Sequence, residues 1–141
     1  MLKTIVVALD VSEISELVIQ SIHELQLQPT TKIILSHVIP PSENEELVAD
    51  RPQSRSEGLP YLDTEKQLQS YEDELPGDSV IEIVSGDPAE EIIRLANIYQ
   101  ADLIVIGSRG LTGLERIIQG SVSSQVVENA PCSVLVVKPP R

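Results

Sequence analysis

Aromatic and sulfur-bearing side chains are scarce in this 141-residue chain, which has no Trp or Phe, three Tyr and one Cys. Proteins that bind single-stranded nucleic acid stack its bases on aromatic side chains, so three tyrosines argue against that function. One cysteine forms neither an internal disulfide nor a cysteine-rich zinc site. The near absence of cysteine is typical of proteins from a reducing compartment.

Positive charge is also scarce, because 10 Lys and Arg face 22 Asp and Glu and the formal net charge is −12. A chain with this balance repels phosphate backbones, which disfavours generic binding of DNA or RNA. No apolar stretch approaches the roughly 18 residues of a membrane span, and no secretory signal pattern is present. We therefore expect a cytoplasmic protein that binds neither nucleic acid nor a membrane.

The negative charge is concentrated in the middle of the chain. Residues 41–91 carry 15 acids against three cations, a net charge of −12, whereas residues 92–141 carry five cations against three acids, a net charge of +2. A solvated acidic surface that maintains solubility is the simpler interpretation. A docking surface for a basic protein partner is the alternative.

Five short apolar segments, rich in β-branched residues, alternate with segments of helical spacing. The predicted strands are Thr4–Leu9, Lys32–Ile39, Ser79–Val84, Asp102–Ile106 and Ser133–Val137. Helices are predicted after Ser12, over Leu62–Leu75, after Asp87 and over Ser121–Asn129. Alternating strands and helices predict an α/β fold with a parallel sheet that is covered on both faces, and the length predicts one domain, residues 1–141.

Local signals refine this assignment. Asp87, Pro88 and Glu90 form a start resembling a capping box, with Asp87 as the N-cap. The segment Ser42–Pro60 is polar, acidic and without periodicity, so we expect a long connection that is mobile or functional. Ligands of doubly wound sheets bind beyond the carboxyl ends of the strands, where the strand order reverses.

Three glycines, Gly107, Gly110 and Gly120, connect the end of a predicted strand to the start of a predicted helix in the spacing G-x2-G-x9-G-S. Glycine permits close approach of a ligand to the backbone, and a helix N-terminus attracts phosphate. The pattern is neither a Walker loop nor G-x-G-x-x-G, and no Lys lies between Gly107 and Ser121. Such glycines also serve turn geometry alone, and the spacing does not decide between the two interpretations.

The sequence resembles the universal stress protein family, in its ATP-binding subgroup. The resemblance extends over essentially the whole chain and depends on TIVVALDVSE, SHVI, GDPAEEI, GSRGLTGLERIIQGSVSSQVV and PCSVLVV. It implies a five-stranded doubly wound parallel sheet of the adenine nucleotide alpha hydrolase-like type, with helices on both faces. It also implies ATP as the ligand, with Mg²⁺ bound through the phosphates.

The resemblance further implies roles for individual residues. Asp10 would meet the ribose, with Ala8 nearby, and the backbone of Val38 would pair with adenine. The phosphates would be held from two sides, by Gly107, Ser108, Arg109 and Gly110 and by Gly120, Ser121, Val122 and Ser123. Arg109 stands where the family often has His.

The function that this resemblance implies is a nucleotide-dependent regulatory protein of the stress response. A homodimer through the last strand, Cys132–Lys138, is implied as well, and an apolar edge strand left unpaired is a liability. Alternatives are a slow ATPase, a cyclic-nucleotide sensor, or an interaction module that uses the acidic residues 41–91. Whether the chain is an enzyme stays open, because the general base and lysine of phosphoryl transfer are not visible.

Four other residues have simpler interpretations than a ligand site. His37 is expected to be packed or hydrogen-bonded within a buried strand, and His23 to be solvated. Cys132 is expected to be an inert buried thiol, with redox sensing as the alternative. Asp10 is a candidate cap of the first helix as well as a candidate ribose ligand.

Overall fold

A computed structural model describes residues 2–9, 13–39, 54–75, 78–107 and 122–138, with the backbone alone described at 13–14 and 54–63. The elements are β1 (Thr4–Ala8), α1 (Glu13–Glu24), β2 (Lys32–Ile39), α2 (Ser54–Glu74), β3 (Asp78–Ser85), α3 (Pro88–Tyr99), β4 (Leu103–Gly107), α4 (residues 122–129) and β5 (Ser133–Val137). Within this part of the chain no helix is long and apolar enough to cross a membrane.

The five strands form one parallel sheet in the order β3-β2-β1-β4-β5. The chain therefore moves outward from β1 to β3, then returns to the other side of β1 for β4 and β5. This is a doubly wound α/β fold, so the predicted fold class is confirmed. In doubly wound sheets a ligand crevice forms at such a reversal, which here lies between the carboxyl ends of β1 and β4.

Apolar side chains cover both faces of the sheet, which explains the continuous apolar runs of the central strands. On one face Ile5, Val7 and Leu35 pack with buried residues of α1 and α2. On the other face Val6, Ile34 and Ile104 pack with buried residues of α3 and α4. The alternation along each strand thus sends successive side chains into two separate cores.

Helix α3 begins as predicted. Asp87 Oδ2 accepts a hydrogen bond from the Glu90 backbone N–H at 3.1 Å, and Pro88 occupies the first helical turn. The helix ends at Gln100, which takes a left-handed conformation with φ of 53° and whose N–H contacts the carbonyls of the last turn. A local capping signal therefore sufficed to locate this helix.

Helix α2 is longer than the sequence predicts. It begins at Ser54 and passes through Gly58 and Pro60, so the expectation of an irregular connection is wrong for residues 54–60. The rest of that connection, residues 42–53, lies outside the described residues. Leu68 and Tyr71 are buried against the sheet. Because packing of one apolar face stabilises a helix more than residue propensity does, poor helix formers near its start did not prevent it.

Asp102 has a structural role at the opposite, amino edge of the sheet, which the sequence did not indicate. Its Oδ2 accepts hydrogen bonds from the backbone N–H groups of Lys3 at 2.9 Å and Thr4 at 3.0 Å. These two bonds lower the pKa of the Asp102 carboxyl below its ordinary value. They hold the start of β1 beside the start of β4.

Candidate functional site

Three of the predicted site residues lie at or next to the carboxyl ends of strands. Ala8 ends β1, Gly107 ends β4, and Val38 is the penultimate residue of β2. Ala8 pairs with Ile106, so the ends of β1 and β4 are adjacent in the sheet. The structure therefore brings these residues to one edge, beside the reversal of strand order.

Helix α4 begins at the same edge of the sheet. It connects β4 to β5, and because these strands are parallel the helix must run back from the carboxyl edge to the amino edge, with its N-terminus at the carboxyl edge. Val122 packs against the second core and Ser123 is buried, 6% exposed. The start of a helix carries free backbone N–H groups and a positive dipole end, which can bind an anion.

The backbone of Val38 faces the crevice. Bonds between β1 and β2 run from the Lys32 N–H to the Lys3 carbonyl and, at the other end, from the Leu9 N–H to the Ser36 carbonyl, both at 2.8 Å. Alternate residues of β2 therefore direct their backbone groups toward β1. Val38, two residues after Ser36, points its N–H and C=O in the same direction, beyond the last described bond of this ladder.

His37 occupies the position between these two residues. Its Nδ1 lies 2.9 Å from the Leu9 carbonyl oxygen. Because a carbonyl oxygen only accepts hydrogen bonds, Nδ1 carries the hydrogen and donates it. The prediction that His37 is hydrogen-bonded within the sheet is confirmed, and the bond joins the carboxyl ends of β1 and β2.

Buried polar groups near the site are satisfied. Ser36, fully buried, donates its hydroxyl to the Val7 carbonyl at 2.9 Å. At the end of β3, the Gly86 N–H donates to the carbonyl of Ile39, the last residue of β2, at 3.0 Å, which extends the β2–β3 ladder one residue past β3. The rim of the crevice formed by β2 and β3 is thus held by backbone and hydroxyl bonds.

Six of the predicted site residues, Asp10, Ser108, Arg109, Gly110, Gly120 and Ser121, lie outside the described residues. Their roles toward ribose and phosphate stay predictions, and so does the choice between capping and ribose binding at Asp10. Across the described ranges no group of three or more His, Cys, Asp or Glu could hold a metal ion.

The remaining candidates are distant from the crevice. His23 is exposed in the last turn of α1, as predicted. Cys132 is half-buried, and burial together with the nearby Asp102 charge raises the pKa of its thiol. A raised pKa leaves less reactive thiolate at neutral pH, as expected for an inert cysteine.

One polar cluster was not predicted. The Tyr99 hydroxyl donates to the Glu82 carboxylate, and the Lys32 ammonium lies 5.0 Å from the centre of the Tyr99 ring. The carboxylate, as acceptor and as negative charge, and burial raise the pKa of Tyr99. Spacing along the chain does not signal such a cluster, because its members come from three different elements.

A family model for the universal stress protein family matches residues 1–138. The chain belongs to the universal stress protein family. The universal stress protein Sll1388 of Synechocystis is 34% identical over 148 residues, covering 95% of this chain and 96% of that protein. The match to MJ0531 of Methanocaldococcus jannaschii is 55% identical but local, covering 43% of this chain and 35% of that protein's length.

Solved structures of universal stress proteins share the fold. The structure of MJ0577 from Methanocaldococcus jannaschii superposes with a TM-score of 0.82 at 27% identity, covering 99% of this chain and 97% of that one. A universal stress protein in complex with cAMP superposes with a TM-score of 0.68 at 22% identity, covering 97% of both chains. An Arabidopsis thaliana family protein with AMP bound gives 0.62 at 22% identity, covering 98% of this chain and 92% of that one.

Proposed function

We propose that this universal stress protein binds ATP in the crevice between β1 and β4 and acts as a nucleotide-dependent regulatory protein in the stress response. The observation that carries the proposal is the reversal of strand order between β1 and β4, beside which Val38, Gly107 and the start of α4 converge. Family proteins with cAMP and with AMP bound support a nucleotide as the ligand class.

The roles in the crevice follow from the chemistry of its parts. The N–H and C=O of Val38 offer a donor and an acceptor side by side, which suits the adenine edge. Ala8 and Asp10 would adjoin the ribose. The phosphates would lie between the Gly107–Gly110 segment and the Gly120–Ser123 segment, where the positive end of the α4 dipole favours negative charge.

Charge and metal binding are compatible with this assignment. Residues 92–141, which contain both phosphate segments, carry a net charge of +2 although the whole chain carries −12. Mg²⁺ would bind through the phosphate oxygens, the ligands that this hard cation prefers. The protein's own contribution would thus be the backbone of the two phosphate segments, together with the positive charge of Arg109 in the first of them.

Calorimetry with Mg-ATP, ADP, AMP and cyclic AMP tests the ligand. We expect ATP to bind, and a Gly120→Val variant to lose binding while it stays folded, because the added side chain would occupy the phosphate approach. Gly113→Val is the matched control, since Gly113 lies in the same connection but outside the G-x2-G-x9-G-S pattern. Absence of binding at millimolar ATP would refute the proposal, and preferential binding of cyclic AMP would replace ATP as the ligand.

The regulatory role is distinguished from enzymatic turnover by product analysis. The sequence between Gly107 and Ser121 contains no lysine, so we expect at most slow hydrolysis. Phosphate release from freshly purified protein measures it. Turnover well above about 1 per second, the range of committed enzymes, would identify an ATPase instead.

We also propose a homodimer through the last strand, Cys132–Lys138. Strand β5 lies at an edge of the sheet, and its central residues Val134–Val136 are only half-buried in one chain. An apolar edge of this kind is protected when it pairs with a second copy. Analytical ultracentrifugation should give the mass of two chains, and a single-chain mass at tens of micromolar would exclude this assembly.

A further inference from the structure

The ladder of backbone hydrogen bonds between β1 and β2 ends one bond earlier than the regular pattern of a parallel pair predicts. Its last described bond runs from the Leu9 N–H to the Ser36 carbonyl at 2.8 Å. In a parallel pair the next bond would run from the Val38 N–H to the Leu9 carbonyl. That carbonyl accepts instead from the Nδ1–H of His37, at 2.9 Å.

We propose that His37 is a positioning residue for nucleobase recognition: its Nδ1–H occupies the Leu9 carbonyl that would otherwise accept from Val38, which leaves the backbone N–H of Val38 available to an acceptor on the base. The inference rests on the proposed function, because it explains how that site offers a backbone donor to the base. The ligand it favours is a base that presents a ring-nitrogen acceptor, as adenine does.

The position of His37 fits this role in two further ways. Alternation along β2 places its side chain on the face of Ile33 and Leu35, away from the face of Val38, so the imidazole does not compete for the space beside Val38. Leu9, whose side chain is 4% exposed, directly precedes Asp10 in the chain. One hydrogen bond therefore holds the end of the strand that leads to the predicted ribose contact.

Two substitutions separate the hydrogen bond from the bulk of the side chain. His37→Leu introduces an apolar side chain of similar size and so removes the donor, whereas His37→Asn places an amide N–H near the position of Nδ1. His23→Leu is the matched control, since His23 is exposed on α1. Thermal unfolding of each variant shows whether the fold is retained.

Calorimetry with Mg-ATP and with Mg-tripolyphosphate, which lacks the base, isolates the effect on base recognition. We expect His37→Leu to bind ATP about tenfold more weakly, the loss of affinity that corresponds to roughly one hydrogen bond. The affinity for tripolyphosphate should be unchanged. His37→Asn and His23→Leu should stay within about twofold of the parent protein. An equal loss for both ligands would mean a merely structural role and would overturn the proposal.

Amide hydrogen exchange of the free protein tests the same inference without a nucleotide. The Val38 amide should exchange faster than the Ser36 amide in the parent protein and should become protected in His37→Leu, because the ladder can then gain its next bond. A Val38 amide as protected as that of Ser36 in the parent protein overturns the role of His37. Failure of the parent protein to bind ATP refutes the proposed function, whereas parent binding with unchanged His37→Leu affinity refutes the role of His37 alone.

Discussion

Replacing Gly86 with alanine tests how the structure joins β3 to α3. Gly86 has a φ of 146°, in the region that L side chains rarely adopt. Its N–H donates to the Ile39 carbonyl, and the next residue, Asp87, caps α3. Both neighbours of the turn are therefore held in place, so the backbone has little freedom to relax after substitution.

Two effects contribute to the cost, and their magnitudes differ. Holding a non-glycine residue in such a conformation costs about 1–3 kcal/mol. The added Cβ would also lie 3.0 Å from Glu91 Cγ. That side chain is flexible, and moving it sacrifices only its surface ion pair with Arg94, at 2.9 Å, which is worth at most about 1 kcal/mol. Backbone strain should therefore account for most of a total of about 2 kcal/mol.

Urea denaturation followed by circular dichroism measures this cost in two backgrounds. We expect Gly86→Ala to lower the free energy of unfolding by about 2 kcal/mol, which for a domain of this size lowers the melting temperature by several degrees. In a Glu91→Ala background most of that loss should persist, because strain remains when the contact is removed. Ser85→Ala, at the exposed end of β3, is the control and should change stability by less than about 0.5 kcal/mol.

Two results would contradict this account. An unchanged unfolding midpoint for Gly86→Ala would show that the turn relaxes without penalty. Recovery of the full stability of the single Glu91→Ala variant in the double variant would show that the steric contact, and not the backbone conformation, determines the cost.

Three further predictions concern residues that hold the fold around the site. Asp87→Ala should lower the free energy of unfolding, measured by urea denaturation, by about 1 kcal/mol through loss of the α3 cap. Asp87→Asn keeps an acceptor and should lower it much less. Equal losses for the two variants would contradict a capping role. The Asp102 carboxyl has a pKa below its ordinary 3.8, so it stabilises the folded state above that pH and the effect fades as the pH falls through the folded-state pKa. Asp102→Ala should therefore be most destabilising at neutral pH, and a difference from the parent that grows toward about pH 3 would contradict this sign. Ile104→Ala, at a fully buried position, should lower the free energy of unfolding by about 2–5 kcal/mol, whereas Ile98→Ala, at a position 57% exposed, should lower it by less than about 0.5 kcal/mol. Comparable losses would mean that the second core is not packed as described.

Local sequence signals located those elements whose ends depend on neighbouring residues. The predicted bounds of β2 and β5 agree with the structure, because β-branched apolar runs are bounded there by proline or polar residues. The start of α3 agrees because Asp87 and Pro88 are a complete capping signal in themselves. The alternation of these elements sufficed for the fold class, since buried parallel strands require helices on both faces.

The start of α2 depended on packing rather than on local propensity. Gly58 and Pro60 argue against a helix, yet the helix passes through both and its later turns pack Leu68 and Tyr71 on the sheet. A helix gains most of its stability from such contacts, and the local sequence of residues 42–60 does not reveal them.

The candidate site likewise has features that the sequence predicted and features that only the tertiary structure decided. The sequence by itself determined which strand ends and which glycine pattern to consider, and the resemblance to universal stress proteins depended on those residues. Only the tertiary structure decided the order β3-β2-β1-β4-β5, the placement of Val38 beyond the last bond of the β1–β2 ladder, and the bond between His37 and Leu9. Each of these joins residues far apart in the chain, and such contacts follow from the packing of the whole sheet and not from the periodicity of any one segment.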